Sequence, residues 1–340
     1  ADESGYGYSY NITANNIESS LTGAISFVIS GEEKKVLVIK GHSASDNTAN
    51  YIKLLKANNY IVDVSADQII KNISKDYDAI VIISPSYDFM ENELVAISDF
   101  LENDGKLGKG LVYFADASCP YLPNISTFLA DWGINLYDGV LFETDERYTN
   151  PQDPTILFGF PSSNTDIENV VLCATGYNVP MLTEEKEDSA LEITPLITTN
   201  ETVVKAPVGA DANWKNYTDD DKGMFVTAAK SVKFDYDNDN DNKRIESSVV
   251  VFSSVQFIQS EWADNAQLSN KNVVLGGTDA AAGVTDNGVS FISKTITNSS
   301  FADKVTIAGD RAIYIIFMIL LPLATLAIGI IVFIRRKNAE

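Results

Sequence analysis

Between Lys35 and Trp132, short apolar runs alternate with stretches whose apolar residues recur at helical spacing. KVLVIK (Lys35–Lys40), Tyr60–Val64, DAIVII (Asp78–Ile83) and GLVYFA (Gly110–Ala115) predict strands. The last two are almost continuously apolar, as expected of strands covered on both faces in a parallel sheet. Between them, Thr48–Ala57 places Tyr51, Ile52, Leu54 and Leu55 on one side of a helix. Glu91–Glu102 does the same with Leu94, Val95, Ile97, Phe100 and Leu101, and Ile125–Trp132 predicts a helix closing at Gly133. Ahead of these, 1–16 is a polar, extended lead-in, and Ile17–Val28 has the spacing of an amphipathic helix ending before Gly31. Alternation of this kind predicts a doubly wound, mostly parallel α/β sheet of the flavodoxin or amidotransferase type over 17–150.

From Pro151 the pattern loosens. Glu192–Thr198 and Met224–Val232 predict antiparallel strands, so 151–246 is expected to be a β-rich insertion or subdomain. SSVVVFSS (Ser247–Ser254) is again a buried strand. A helical region containing Trp262 follows to about Leu275, and a last strand is expected over 289–297, so that 247–300 returns to the sheet.

Residues 301–311 lead to an uncharged run, AIYIIFMILLPLATLAIGIIVFI, over 312–334. At about 1.5 Å per residue a helix over this run spans roughly 34 Å, enough for a hydrocarbon core of about 30 Å. Pro322 and Gly329 are compatible with a membrane helix. Arg335-Arg336-Lys337 follows at once and favours a cytoplasmic tail over 335–340. Asp310 and Arg311 mark the other membrane edge. The expectation is one C-terminal transmembrane helix anchoring an extracytoplasmic domain of about 310 residues. An exported domain also implies a targeting segment upstream of Ala1.

The formal charge is −22. Such a surface repels nucleic acid and anionic headgroups, so no nucleic-acid partner is expected. Cys119 and Cys173 would lie in an oxidising compartment, where a disulfide is permitted but its geometry is not set by sequence. N-x-S/T sequons occur at Asn11, Asn72, Asn124, Asn200, Asn216 and Asn298, as an Asn- and Ser-rich chain produces by chance.

Candidate chemistry follows from topology. Ligands of open α/β sheets bind at the carboxyl ends of the strands. Here those ends carry Gly41, His42, Ser84, Pro85 and Asp116, the expected ligand-binding residues. His42 is the sole histidine. A Cys119–His42 nucleophilic pair is conceivable there, but Cys119 precedes Pro120 in a loop rather than sitting in a Gly-flanked elbow. No catalytic residue is assigned, and the phosphate-cradling patterns G-x-G-x-x-G and G-x-x-x-x-G-K-[ST] are absent.

A second signal is DYDNDNDNKRIE (Asp235–Glu246). Asp235, Asp237, Asp239, Asp241 and Glu246 match the oxygen-donor positions of a calcium loop, so calcium is the one candidate ligand ion. Position six is Asn240 rather than glycine, and the flanks are strand-like, unlike an EF-hand.

Several of these segments, in this order, resemble one family: the membrane-anchored auxiliary component of gliding-motility-type ABC transport systems of bacteria. ESSLTGAISFV (Glu18–Val28) looks like its leading helix, and KVLVIKGH (Lys35–His42) like its first strand and Gly-His turn. The family continues that turn with Gly-Glu where this chain has Ser43-Ala44. Asp78–Leu107, LVYFADAS (Leu111–Ser118), FLADWGI (Phe128–Ile134) and SSVVVFSSVQFI (Ser247–Ile258) follow in family order, and the chain ends in a similar terminal helix. The resemblance implies permease and ATPase partners, and a further anchor and domain upstream. The expected function is therefore a non-enzymatic, extracytoplasmic accessory subunit. A calcium-dependent adhesion protein and a Cys119–His42 surface hydrolase are the alternatives.

Overall fold

The computed structural model describes residues 33–43, 48–148, 152–186, 190–237 and 242–284, with two-residue strands at β1 (Ala14–Asn15) and Lys294–Thr295. All but Thr295 belong to one compact unit, Ala14–Lys294. In chain order the first half comprises β2 (Lys34–Ile39), α1 (Ala49–Ala57), β3 (Tyr60–Ser65), β4 (Ala79–Ile83), α2 (Glu91–Glu102), β5 (Gly110–Phe114) and α3 (Pro123–Asp131). β4 and β5 are buried at every position, as their unbroken apolar sequences require.

The second half contains β6 (Ile134–Leu136), β7 (Val140–Glu143), β8 (Leu157–Pro161), β9 (Cys173–Thr175), β10 (Met181–Thr183), β11 (Leu191–Thr198), β12 (Val203–Ala206), β13 (Val226–Asp237) and β14 (Lys243–Phe252). It closes with the one-turn helix α4 (Ser260–Ala263) and with α5 (Asn270–Ala281). Nine strands form one sheet in the order β3-β2-β4-β5-β14-β13-β11-β8-β9. The pairings among β3, β2, β4, β5 and β14 are parallel, and all those beyond β14 are antiparallel. The fold is thus mixed α/β, with a doubly wound parallel half.

Alternate residues of the parallel strands face two cores. One face carries Val36, Val81, Val112 and Val250 against Tyr51 and Leu55 of α1 and Val273 and Val274 of α5. The other carries Ile80, Ile82, Leu111 and Val251 against Ile97, Phe100 and Leu101 of α2 and Ile125 and Leu129 of α3. Phe114 and Phe252 stack across β5 and β14 with ring centroids 4.6 Å apart. α5 crosses so close to β5 that a Cβ on Gly110 would lie 2.0 Å from the Ala281 carbonyl oxygen.

Beyond α3, the strands β8, β9, β11, β13 and β14 extend the same sheet. β13 pairs with β14 from Ala228↔Phe252 to Asp237↔Lys243, and β11, β8 and β9 continue outward. Two short ribbons, β6 with β10 and β7 with β12, stand apart from the nine strands. β11 carries register shifts around Pro195, where proline cannot donate to a ladder.

The expected helix over 17–28 and the apolar run 312–334 lie outside the described residues. Among the described residues no helix is long and apolar enough to cross a membrane.

Candidate functional site at the carboxyl ends of the parallel strands

Counted along the chain, the five parallel strands lie in the order 2-1-3-4-5, and the crossovers diverge between β2 and β4. That switch point is where open α/β sheets place ligands. The turns after β2, β4 and β5 there bring together the Gly41-His42, Ser84-Pro85 and Asp116–Cys119 segments. Ser86 N–H donates to the His42 carbonyl at 2.7 Å, and the Ser43 hydroxyl donates to the Ile83 carbonyl. Gly41 is demanded by packing, since a Cβ there would lie 1.8 Å from the Asp67 carbonyl oxygen.

His42 is buried and stacks on Phe89 with centroids 4.0 Å apart. Its Nδ1 lies 3.0 Å from the Tyr87 carbonyl and its Nε2 lies 2.9 Å from Glu93 Oε1. Both partners are acceptors, so the ring N–H meets an acceptor at either nitrogen. Glu93, 1% exposed, also accepts the Ile70 amide and, at the start of α2, the Met90 amide. Burial opposes its charge, but the Met90 and Ile70 amides and His42 outweigh that and hold its carboxyl below the usual range. The pair therefore clamps three segments: the β2 turn, the loop before β4 and the first turn of α2.

Ser84 sits at φ +46° with its side chain buried, and its hydroxyl donates to Asp116 Oδ2 at 2.7 Å. Asp116 Oδ1 accepts the Ser118 amide at 2.9 Å and the Ser118 hydroxyl at 2.6 Å. Cys119 Sγ lies 3.5 Å from both the Ser84 and Ser86 hydroxyls. The conceived Cys119–His42 pair is not formed, because both nitrogens of His42 are engaged elsewhere and Cys119 faces serines. Both cysteines are free thiols, Cys119 half-buried and Cys173 buried. Burial pushes the Cys173 thiol up to about 12.

Asp88 takes the N-terminus of α3, accepting the Asn124 amide at 2.8 Å and the Ile125 amide at 3.2 Å. Pro85, Asp116, Cys119 and Tyr121 border a cavity of about 30 Å³, which is space for one or two waters. Of the sequence-derived residues, Ser84 and Asp116 thus meet directly, while His42 turns inward to a partner that sequence reading missed. Glu93 falls on one helix face with Ile97 and Phe100, and that inward position was its available signal.

The described parts of the acidic segment are the end of β13 and the start of β14. The ladder pairs Phe234 with Glu246 and Asp235 with Ile245. Directly paired residues share a face of the sheet, so Asp235 and Asp237 project opposite to Glu246. Glu246 is bound by Arg244 Nε at 2.9 Å, and Arg244 also reaches Glu192 and covers the Phe234 ring. Asp239 and Asp241 lie outside the described residues. Among the described residues no cluster of three or more His, Cys, Asp or Glu side chains could hold a metal ion.

No protein-family profile matches the chain, and no curated protein matches it significantly. Among solved structures, the mmIFT52 N-terminal domain aligns at 9% identity and a TM-score of 0.49, covering 74% of this chain and 99% of that one. A putative GMP synthase subunit from Thermoplasma acidophilum aligns at 8% identity and a TM-score of 0.37, covering 74% and 95%.

Proposed function

We propose that this chain is a membrane-anchored, extracytoplasmic accessory subunit of an ABC transport system, acting by binding rather than by bond cleavage. The uncharged run Ala312–Ile334, closed by Arg335-Arg336-Lys337, carries the reading. It supplies one span of sufficient length with a cytoplasmic C-terminus. The ordered resemblance to gliding-motility-type auxiliary components supplies the partners, a permease and an ATPase subunit. The strand-end geometry supports a binding role. Ser84, Asp116 and Ser118 bond one another, and His42 is held by Glu93 and Tyr87 rather than by Cys119.

Affinity purification of the full-length protein from its own membranes in mild detergent, with mass spectrometry, tests this reading. Stoichiometric recovery of a permease and an ATPase is expected. Recovery of the anchor alone overturns the transporter assignment. The calcium-adhesion alternative predicts a calcium-dependent rise in unfolding temperature. The opposed faces of Asp235 and Glu246 weigh against a loop site that uses both.

A further inference from the structure

A groove of about 360 Å³ opens beside the β6–β10 and β7–β12 ribbons. That size is within the range of small-ligand sites. Tyr137, Trp214, Tyr217 and Phe225 line it, an unusual density of rings for a surface otherwise rich in carboxylates. Trp214 is fixed from beneath: Phe142 meets it edge-to-face with centroids 5.9 Å apart. Tyr217 lies beside it at 5.8 Å with the rings inclined by 38°. Tyr137 remains 40% exposed, with the Lys205 ammonium 5.8 Å from its ring centre.

The polar lining is sparse and of mixed sign. Lys205 contributes one positive charge, Asp221 one negative charge and Asn216 a planar amide. Asp221 Oδ2 is taken by the Thr218 amide and hydroxyl, while Oδ1 accepts no hydrogen bond among the described residues. Rigid ring faces suit the C–H face of a pyranose, because the negative aromatic face attracts weakly positive hydrogens. An amide, a carboxylate oxygen and an ammonium at the rim suit its hydroxyls. A lining with one charge of each sign favours an uncharged ligand, and the acidic surface disfavours an anionic one.

We infer that the Trp214–Tyr217–Tyr137 groove is a binding site for a neutral saccharide chain. The inference stands on the groove alone and does not depend on the transport role.

The full-length protein, held in a lipid nanodisc to avoid sugar-based detergents, is titrated with neutral hexasaccharides. The set comprises β-1,4-glucose, α-1,4-glucose, α-mannose and β-1,4-N-acetylglucosamine oligomers, read by tryptophan fluorescence and calorimetry. Saturable binding of at least one is expected, weakened about tenfold or more by Trp214→Ala and by Tyr137→Ala. Tyr137 and Asn216 are solvent-exposed, so Tyr137→Ala and Asn216→Ala report on binding even if Trp214→Ala disturbs the loop. The site is refuted if no oligomer binds, or if binding survives these substitutions unchanged. A proline-rich peptide that binds with the same sensitivity while the sugars do not would reassign the groove to peptides. Copurification of a permease, or its failure, changes none of these outcomes.

Discussion

His42 and Glu93 stand 51 positions apart in the chain, and their side chains meet at 2.9 Å inside the protein. The contact joins the loop that ends the first parallel strand to the helix that follows the third. Removing the Glu93 carboxylate leaves His42 Nε2 and the Ile70 and Met90 amides without their acceptor, and a buried polar group left unsatisfied costs about 1–3 kcal/mol. Glu93→Ala is therefore expected to lower unfolding free energy by that order in urea denaturation. A loss below about 1 kcal/mol would show that the pair does not hold the switch point together. Glu93→Gln keeps an acceptor and should cost less.

The same carboxylate predicts a pH dependence. Its folded pKa is depressed, so the unfolded chain binds its proton more readily. Stability from this group is present above the unfolded value of about 4.3 and is lost as pH falls through the folded value. Melting temperature should fall on acidification below that point, and Glu93→Gln should flatten that part of the profile. Equal acid slopes in the two proteins would contradict the assignment.

The two thiols should react in order. Cys119 is half-buried among hydroxyls, whereas burial holds Cys173 protonated with its pKa near 12. Iodoacetamide on the native protein is expected to label Cys119 first, and Cys173 only on unfolding. Peptide mass spectrometry reads the order directly, and early labelling of Cys173 would refute it.

Glycine substitutions separate packing from local freedom. Gly110→Ala drives a Cβ to 2.0 Å from the Ala281 backbone, so α5 or β5 must shift. Overpacking of this kind costs about 1–3 kcal/mol or more. Gly223→Ala meets open space and should change stability by less than about 0.5 kcal/mol. Comparable chemical-denaturation midpoints for the two variants would contradict the close helix–strand crossing.

The parallel half was legible because Ala79–Ile83 and Gly110–Phe114 are apolar at every step, and the helices between them carry clear stripes. The start of β14 was not. Lys243–Glu246 is largely exposed and mostly charged, so the strand is recognisable only from Ser247 onward. The joining of β8, β9 and β11 to the same sheet was equally hidden, since short strands carry no record of distant partners. Within the site, the meeting of Ser84 with Asp116 follows from the adjacency of β4 and β5. The inward turn of His42 is harder to read, because an acidic residue in a helical first turn is ordinarily solvated and only its alignment with Ile97 and Phe100 marks Glu93 as inward. Trp214 and Tyr217 lie between strands, where no periodicity marks them.

The pairing of Ser248 with Gly110 sets a schedule for biosynthesis. The parallel half can assemble as far as β5, but the strand that covers its edge emerges about 140 residues later. At about 5–20 residues per second, β5 waits roughly 7–28 s with an open, wholly apolar edge. An edge of this kind recruits other strands, so the nascent chain is most exposed to mispairing before Lys243–Phe252 emerges. A chaperone that shields Gly110–Phe114 during that interval would raise the yield of native protein more than one acting on the finished chain.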